Sequence, residues 1–176
     1  MSGIWIERGG ILMTKVMYQT VSLLDQPMIL AASDQGLCFV GTPGAGVDEL
    51  ADFQLTADLV QQETPILTQA ATELREYLAG NRHHFDVPLA PVTGTALQRQ
   101  VWHALSQLNY GETISYSTLA DRVEHPTAVR AVATAVAKNP LMIVVPCHRI
   151  LRKDGSIGQF RGGVSLKRQL LTLESR

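Results

Sequence analysis

Apolar positions change their rhythm near residue 95 of this chain. Before it, short apolar runs dominate: Val16 to Leu24, Met28 to Ala32 and Gly36 to Val40. Their lengths suit strands. Asp34-Gln35-Gly36 supplies turn residues between the last two runs, so a hairpin is predicted there. Gly41 to Gly46 reads as a loop. Between Pro65 and Ala79, Leu67, Ala70, Leu74, Tyr77 and Leu78 recur at spacings of three and four. That spacing predicts a helix, and Gly80 can end it. Pro88, Pro91 and Gly94 mark a linker, which divides the chain into an α/β part, residues 1–91, and a second part, residues 92–176.

The second part reads as helices. Ala96 to Leu108 is amphipathic, with Val101, Trp102, Leu105 and Leu108 on one face, and Gly111 breaks it. Ser115 can cap a short helix running to Arg122. Pro126 fits the first position of another helix, reaching about Lys138, because its missing N–H needs no partner there. Asn139-Pro140 stops that helix. Two short helices joined by a tight turn form a helix-turn-helix. The second is rich in alanine, with Ala128, Ala131, Ala133, Ala135 and Ala137 around Arg130. Small side chains suit either close core packing or close approach to a nucleic-acid groove.

Charge sharpens the division. The 176 residues carry a net charge of −1, which conceals an asymmetry. Residues 1–94 hold four Lys and Arg against eleven Asp and Glu, and residues 95–176 hold eleven against five. A basic half beside an acidic one points the basic half toward an anion such as DNA. No apolar run approaches the roughly 20 residues needed to cross a bilayer. The N-terminus has no secretory pattern, so a cytoplasmic location is expected, with Cys38 and Cys147 as free thiols. The first dozen residues read as an early start or a loose extension. No Cys and His set has metal-ligand spacing, and adjacent His83 and His84 are poorly placed to share one ion, so no metal or cofactor is expected.

Candidate chemistry gathers at Pro146-Cys147-His148-Arg149. The apolar run Leu141 to Val145 reads as a buried extended segment that delivers Cys147. A cysteine is a nucleophile as thiolate, and neighbouring positive charge favours that form. In an extended segment, however, Cys147 and His148 point to opposite faces. A turn or a bridging water is then needed for proton exchange. The dipeptide alone fits an inert buried thiol better than a nucleophile.

The wider context resembles the O6-alkylguanine-DNA alkyltransferase family. Asn139-Pro140 followed by Ile143-Val144-Val145-Pro146-Cys147-His148-Arg149-Ile150 is similar to that family's active-site signature. Gln100-Val101-Trp102, Gly111-Glu112-Thr113-Ile114-Ser115-Tyr116, Arg130-Ala131-Val132, Gly155, Gly162-Gly163 and Lys167 follow in the family's order. The resemblance covers residues 92–174. It implies an N-terminal ribonuclease-H-like α/β domain and a mostly helical, winged-helix-like C-terminal domain with the helix-turn-helix. The implied function is repair of O6-alkylguanine in double-stranded DNA by a monomer associated with the nucleoid. The alkyl group passes irreversibly to Cys147, once per molecule.

The same resemblance implies the roles. His148 would deprotonate Cys147 through a water, oriented by Glu174 in a relay similar to hydrolase triads. Tyr116 would supply a proton to the departing purine. Asn139 would hold the turn between the second helix and the active-site segment. The target nucleotide must leave the stack, at a cost of a few kcal/mol. Arg130 would fill the vacated place, with Ala128, Ala131 and Ala135 letting the helix enter the minor groove. Pro146, Ile150, Phe160 and Arg161 would line the substrate pocket.

The chain departs from the family at the pocket rim. Many relatives carry Tyr and a small residue where this chain has Phe160 and Arg161. Ala133 and Val136 stand where relatives often have Gly and Asn. Two other readings belong beside the first. Alkyltransferase-like sensors bind the lesion without transfer, but they have lost the cysteine that is present here. A cysteine hydrolase would use Cys, His and Glu, but it has no motif of its own and leaves Arg130 and the basic half unexplained.

Overall fold

A tight turn at Leu24 and Asp25 sets the first hairpin. Both residues sit at positive φ, 54° and 58°, which matches a two-residue hairpin turn to the twist of its strands. The turn joins β1 (Val16–Leu23) to β2 (Gln26–Ala32), antiparallel, with Leu23 opposite Gln26. The computed structural model describes residues 15–56 and 58–175, so the first dozen residues, read above as an early start or an extension, lie outside it. The predicted hairpin around Asp34-Gln35-Gly36 is present and leads from β2 to β3 (Leu37–Val40).

Two elements escaped the apolar pattern: α1 (Glu49–Asp52), a single turn, and β4 (Leu59–Gln61). β4 is short and lies parallel to β1, completing a sheet of order β3-β2-β1-β4. β2 is covered on both faces. Ile29 and Ala31 join a cluster with Phe39, Leu50 and Leu55, and the alternating Met28, Leu30 and Ala32 are fully buried as well. The predicted helix is α2 (Pro65–Leu78), which packs against β1 and β2. Thr64 caps it by accepting from the Leu67 N–H, and Pro65 opens it. Pro88 to Ala90 are not linker. Leu37 donates to the Pro88 carbonyl at 2.7 Å, and Ala90 donates to the Leu37 carbonyl at 2.9 Å. This segment therefore extends the pairing at β3. The described residues fall into two compact units, one ending at Thr93 and the other beginning at Gly94.

The second unit opens with α3 (Ala96–Ser106), held by a reciprocal capping box between Thr95 and Gln98. It ends two residues before Leu108. α4 (Tyr116–Arg122) follows β5 (Ile114–Ser115), and Ser115 caps α4 by accepting from the Thr118 N–H at 3.0 Å. α5 (Val129–Ala137) starts three residues later than Pro126. The Ala128 N–H donates instead to the His125 carbonyl at 2.9 Å. Pro126 thus occupies the second position of a tight turn, where its fixed φ is equally suitable. α4 and α5 form the helix-turn-helix, and α3 packs against both. The buried indole of Trp102 donates to the Ala135 carbonyl at 2.8 Å, which ties α5 to α3.

Leu141 to Val145 is buried, as the apolar run implied, but it is not extended. Ile143 adopts φ 74°, and the Val145 N–H returns to the Leu141 carbonyl at 2.8 Å. Cys147–Arg149 then form one turn of 3-10 helix before β6 (Ile150–Leu151), which pairs parallel with β5. α6 (Gly163–Glu174) closes the unit. Among the described residues no helix is long and apolar enough to cross a membrane.

Candidate active site

The folded-back segment after α5 is organised by Asn139, which is itself buried. Its Oδ1 accepts from the Leu141 N–H at 2.9 Å. Its Nδ2 donates to the Val145 carbonyl at 2.8 Å and to Sγ of Cys147 at 3.1 Å. One amide therefore fixes the turn and reaches the sulfur. Cys147 is 7% exposed and opens into a cavity. Burial pushes its thiol above the ordinary value of 9.0, and the bond from Asn139 with the charges of Arg161 and Lys167 offsets only part of this. At neutral pH the resting group is the thiol.

The 3-10 turn changes the geometry expected of an extended chain. With three residues per turn, successive side chains are separated by about 120° instead of pointing to opposite faces. His148 is completely buried, and its Nε2 lies 2.8 Å from Oε1 of Glu174 on α6. Burial holds the imidazole below its ordinary 6.5, against the opposing pull of Glu174. Burial also opposes ionisation of Glu174. The bonds from His148 and Arg149 outweigh it and hold the carboxyl far below the usual carboxylate range. A neutral imidazole beside a carboxylate must carry its proton on Nε2 and donate it, which leaves Nδ1 with the basic lone pair.

Arg149 completes this arrangement. Its Nε donates to Oε2 of Glu174 and its Nη2 to Oε1, both at 2.8 Å, while Nη1 donates to the Leu108 carbonyl at 2.7 Å. The Gly111 N–H adds a bond to Oε2 at 3.2 Å. Gly111 has φ 75°, and a Cβ there would lie 2.9 Å from the Glu174 carbonyl oxygen, so only glycine fits. Lys167 is buried on α6, donates to the Ile150 carbonyl at 2.5 Å, and is pushed below its ordinary value by burial. Arg149 lay in the signature and Lys167 among the positions that follow in the family's order, but nothing local distinguished them from surface cations. A basic residue within an apolar run was the available signal.

The cavity in front of Cys147 has a volume of about 680 Å³. Tyr116, Ala133, Thr134, Val136 and Asn139 form part of its wall, together with Gly158 to Arg161. Tyr116 is held above its ordinary 10.0 by burial and by the nearby Cys147, so it retains its phenolic proton. A Cβ on Gly158 would approach the Tyr116 hydroxyl to 3.3 Å, so the missing side chain leaves room for that hydroxyl. Phe160 packs edge-on to His148, with ring centroids 6.3 Å apart. Pro146 and Ile150, expected at the pocket, are not in its wall. Pro146 precedes the 3-10 turn, and Ile150 is fully buried as it pairs with β5.

Arg130 and Ala131 are exposed on α5, and Ala128 at its start is half-buried. Ala135 is 2% exposed, and its carbonyl is occupied by Trp102, so it belongs to the packed face and cannot meet a groove. The exposed stripe is Thr127, Arg130, Ala131, Thr134 and Lys138, the spacing of one helix face. Thr134, which the sequence pattern did not single out, and Lys138 link this stripe to the cavity wall.

Fold and site together define an α/β protein that presents a buried cysteine to a cavity beside a helix-turn-helix. Comparison with known proteins gives the family. Residues 96–176 match the model of the 6-O-methylguanine DNA methyltransferase DNA-binding domain, and residues 16–91 match that of its ribonuclease-like domain. The inducible methylated-DNA–protein-cysteine methyltransferase of Bacillus subtilis is 39% identical over 155 residues, covering 86% of each chain. The methylated-DNA–protein-cysteine methyltransferase of Methanosarcina acetivorans is 38% identical, covering 84% of this chain and 91% of its own. The structure of Mycobacterium tuberculosis OGT in complex with DNA superposes with a TM-score of 0.77 at 33% identity, covering 90% of this chain and 92% of the other. The chain belongs to the 6-O-methylguanine DNA methyltransferase family.

Proposed function

We propose that this chain repairs O6-alkylguanine in duplex DNA by moving the alkyl group from O6 to Sγ of Cys147, once per molecule and without a cofactor. The observation that carries the reading is a buried thiol opening into a cavity, followed directly in sequence by His148, which is paired with Glu174. Nδ1 of His148 takes the thiol proton through a water, and Glu174 stabilises the imidazolium that forms. Sγ attacks the alkyl carbon as the C–O6 bond breaks, and the electron pair departs with the purine. Tyr116 supplies the proton that makes guanine the leaving group. The product is a thioether, which simple hydrolysis does not reverse.

A stacked base would keep its O6 substituent away from a buried sulfur, so the nucleotide is flipped into the cavity. Arg130 enters the vacated space from the exposed face of α5, with Ala128 and Ala131 allowing close approach in the minor groove. The protein acts as a monomer on nucleoid DNA. Incubation with duplex DNA carrying O6-methylguanine should add one methyl mass to the Cys147 peptide, with no second turnover. Label on Cys38, or repeated turnover, sinks the proposal. Cys147→Ala should abolish cellular protection against methylating agents, and intact protection would point instead to a lesion sensor.

A further inference from the structure

We propose that Arg152 is a positioning residue for the proton-donating step: seated beside Tyr116 on the cavity wall, its guanidinium stabilises the negative charge that the phenol takes on as guanine departs. The inference rests on the alkyl-transfer reading above and adds a residue to the same site.

Strand register brings the two side chains together. β5 and β6 run parallel, with Ser115 opposite Leu151. Tyr116 follows Ser115 and Arg152 follows Leu151, so they leave the sheet as neighbours. Both line the cavity in front of Cys147. Gly158 abuts both: a Cβ there would come within 3.3 Å of the Tyr116 hydroxyl and 3.8 Å of Cγ of Arg152. The Arg152 backbone is fixed at each end. Its N–H donates to the Ser156 carbonyl at 3.0 Å, and its carbonyl accepts from the Gly155 N–H at 2.9 Å. Asp154, in the same turn, accepts from the N–H and hydroxyl of Ser156 at 3.0 and 2.7 Å. The acid of this turn is thus bonded to Ser156 and not to Arg152.

A phenol is a weak proton donor in this setting. Burial and the neighbouring Cys147 both make Tyr116 hold its proton more tightly, and the charge of Arg152 opposes them. Lys138 and Arg161 also line the cavity, yet the cation whose charge reaches the phenol is Arg152. The opposition matters most during transfer. With Cys147 ionised, negative charge on the Tyr116 oxygen is disfavoured, and a cation held beside it offsets that cost. The Sγ–C bond forms, the C–O6 bond breaks with its electron pair passing to the purine, and the phenolic proton passes to the purine. The phenolate beside Arg152 then regains a proton, the counterpart of the one that His148 took from the thiol. The net movement is one proton from sulfur to guanine.

The test is a double-mutant cycle on single-turnover methyl transfer from duplex O6-methylguanine at saturating protein. Saturation separates the transfer rate from DNA affinity. A neighbouring charge changes acid strength by about tenfold or more and the rate expresses part of it, so Arg152→Gln should slow saturated transfer roughly threefold to tenfold. Arg152→Lys should keep most of the rate. In a Tyr116→Phe background, Arg152→Gln should cost nothing further, because the group it acts through is gone. NMR titration of ring-labelled Tyr116 supplies a readout independent of DNA. Its ionisation should move upward in Arg152→Gln and stay near wild type in Arg152→Lys. Weaker DNA binding with an unchanged saturated rate makes Arg152 a phosphate contact and overturns the inference, as do equal losses in both backgrounds. Should Tyr116→Phe fail to fold or to react, an unmoved Tyr116 titration in Arg152→Gln overturns it alone. Absence of methyl from wild-type Cys147 defeats the underlying reading, whereas normal wild-type transfer with additive losses defeats only this inference.

Discussion

Asn139 donates to Sγ of Cys147 at 3.1 Å with the same amide nitrogen that holds the Val145 carbonyl. Nucleophile position and turn geometry therefore depend on one side chain. Asn139→Ala should lower stability by about 1–3 kcal/mol, the cost of leaving buried partners unsatisfied, and should slow methyl transfer at least about tenfold on the same grounds. Asn139→Asp should be slower still in transfer, because a carboxylate cannot donate and repels a thiolate. Thermal unfolding and single-turnover rates check both. An aspartate variant with wild-type rate would show that the donated bond is unimportant.

Glu174 makes stability depend on acid. Its folded-state ionisation lies far below the ordinary 4.5, so its contribution is fully present above pH 4.5 and is lost as pH falls. His148 acts in the same direction. It is buried neutral and held below 6.5, so the unfolded chain gains protons first as pH drops below 6.5. Glu174→Gln should lower stability at pH 7 by about 3–5 kcal/mol, because Arg149 loses its buried ionic partner. The variant should also show a shallower loss of stability between pH 5 and 3. Urea unfolding across that range measures it, and a slope equal to the wild type would contradict the assignment.

Resting Cys147 should be a poor nucleophile toward small reagents. Burial raises its ionisation above 9.0, so iodoacetamide labelling at pH 7 should be slower than for an exposed cysteine and should keep rising beyond pH 9. Cys38, pushed up to about 12 by burial, should lag further. Methyl transfer from DNA should behave differently. Neutral His148 remains the base throughout the neutral range, so the rate should fall only below pH 6.5. Peptide mapping and pH–rate profiles separate the two behaviours.

Arg130 should matter for duplex DNA and far less for a free base. It is exposed on α5, outside the cavity wall. Arg130→Ala should slow transfer from a lesion in duplex DNA by roughly tenfold or more, since flipping costs a few kcal/mol. The reaction with free O6-benzylguanine should change much less. Equal losses on both substrates would place Arg130 in the chemistry instead of the DNA contact.

Much of the helical half was legible along the chain. Ser115 and the periodic face of α3 act locally, through a cap and spacings of three and four, and both helices begin where the pattern put them. The start of α5 was misread because Pro126 suits both a first helical position and a tight turn, and the Ala128 bond to His125 selects the turn. β4 went unseen because three residues, two half-buried and one exposed, carry little period. Ala135 looked like its neighbouring alanines until Trp102 claimed its carbonyl.

Sequence by itself determined the two-part organisation, the helix-turn-helix, and the Cys147–His148 signature with its upstream Asn139, because these are written in local spacing and residue type. Tertiary structure decided what the signature can do. The apolar run before Cys147 folds back instead of extending, since Ile143 takes a positive φ and Asn139 bridges the turn. Glu174 meets His148 and Arg149 across 26 and 25 residues. Such pairs are set by packing of α6 against the 3-10 turn, and no local period records that distance.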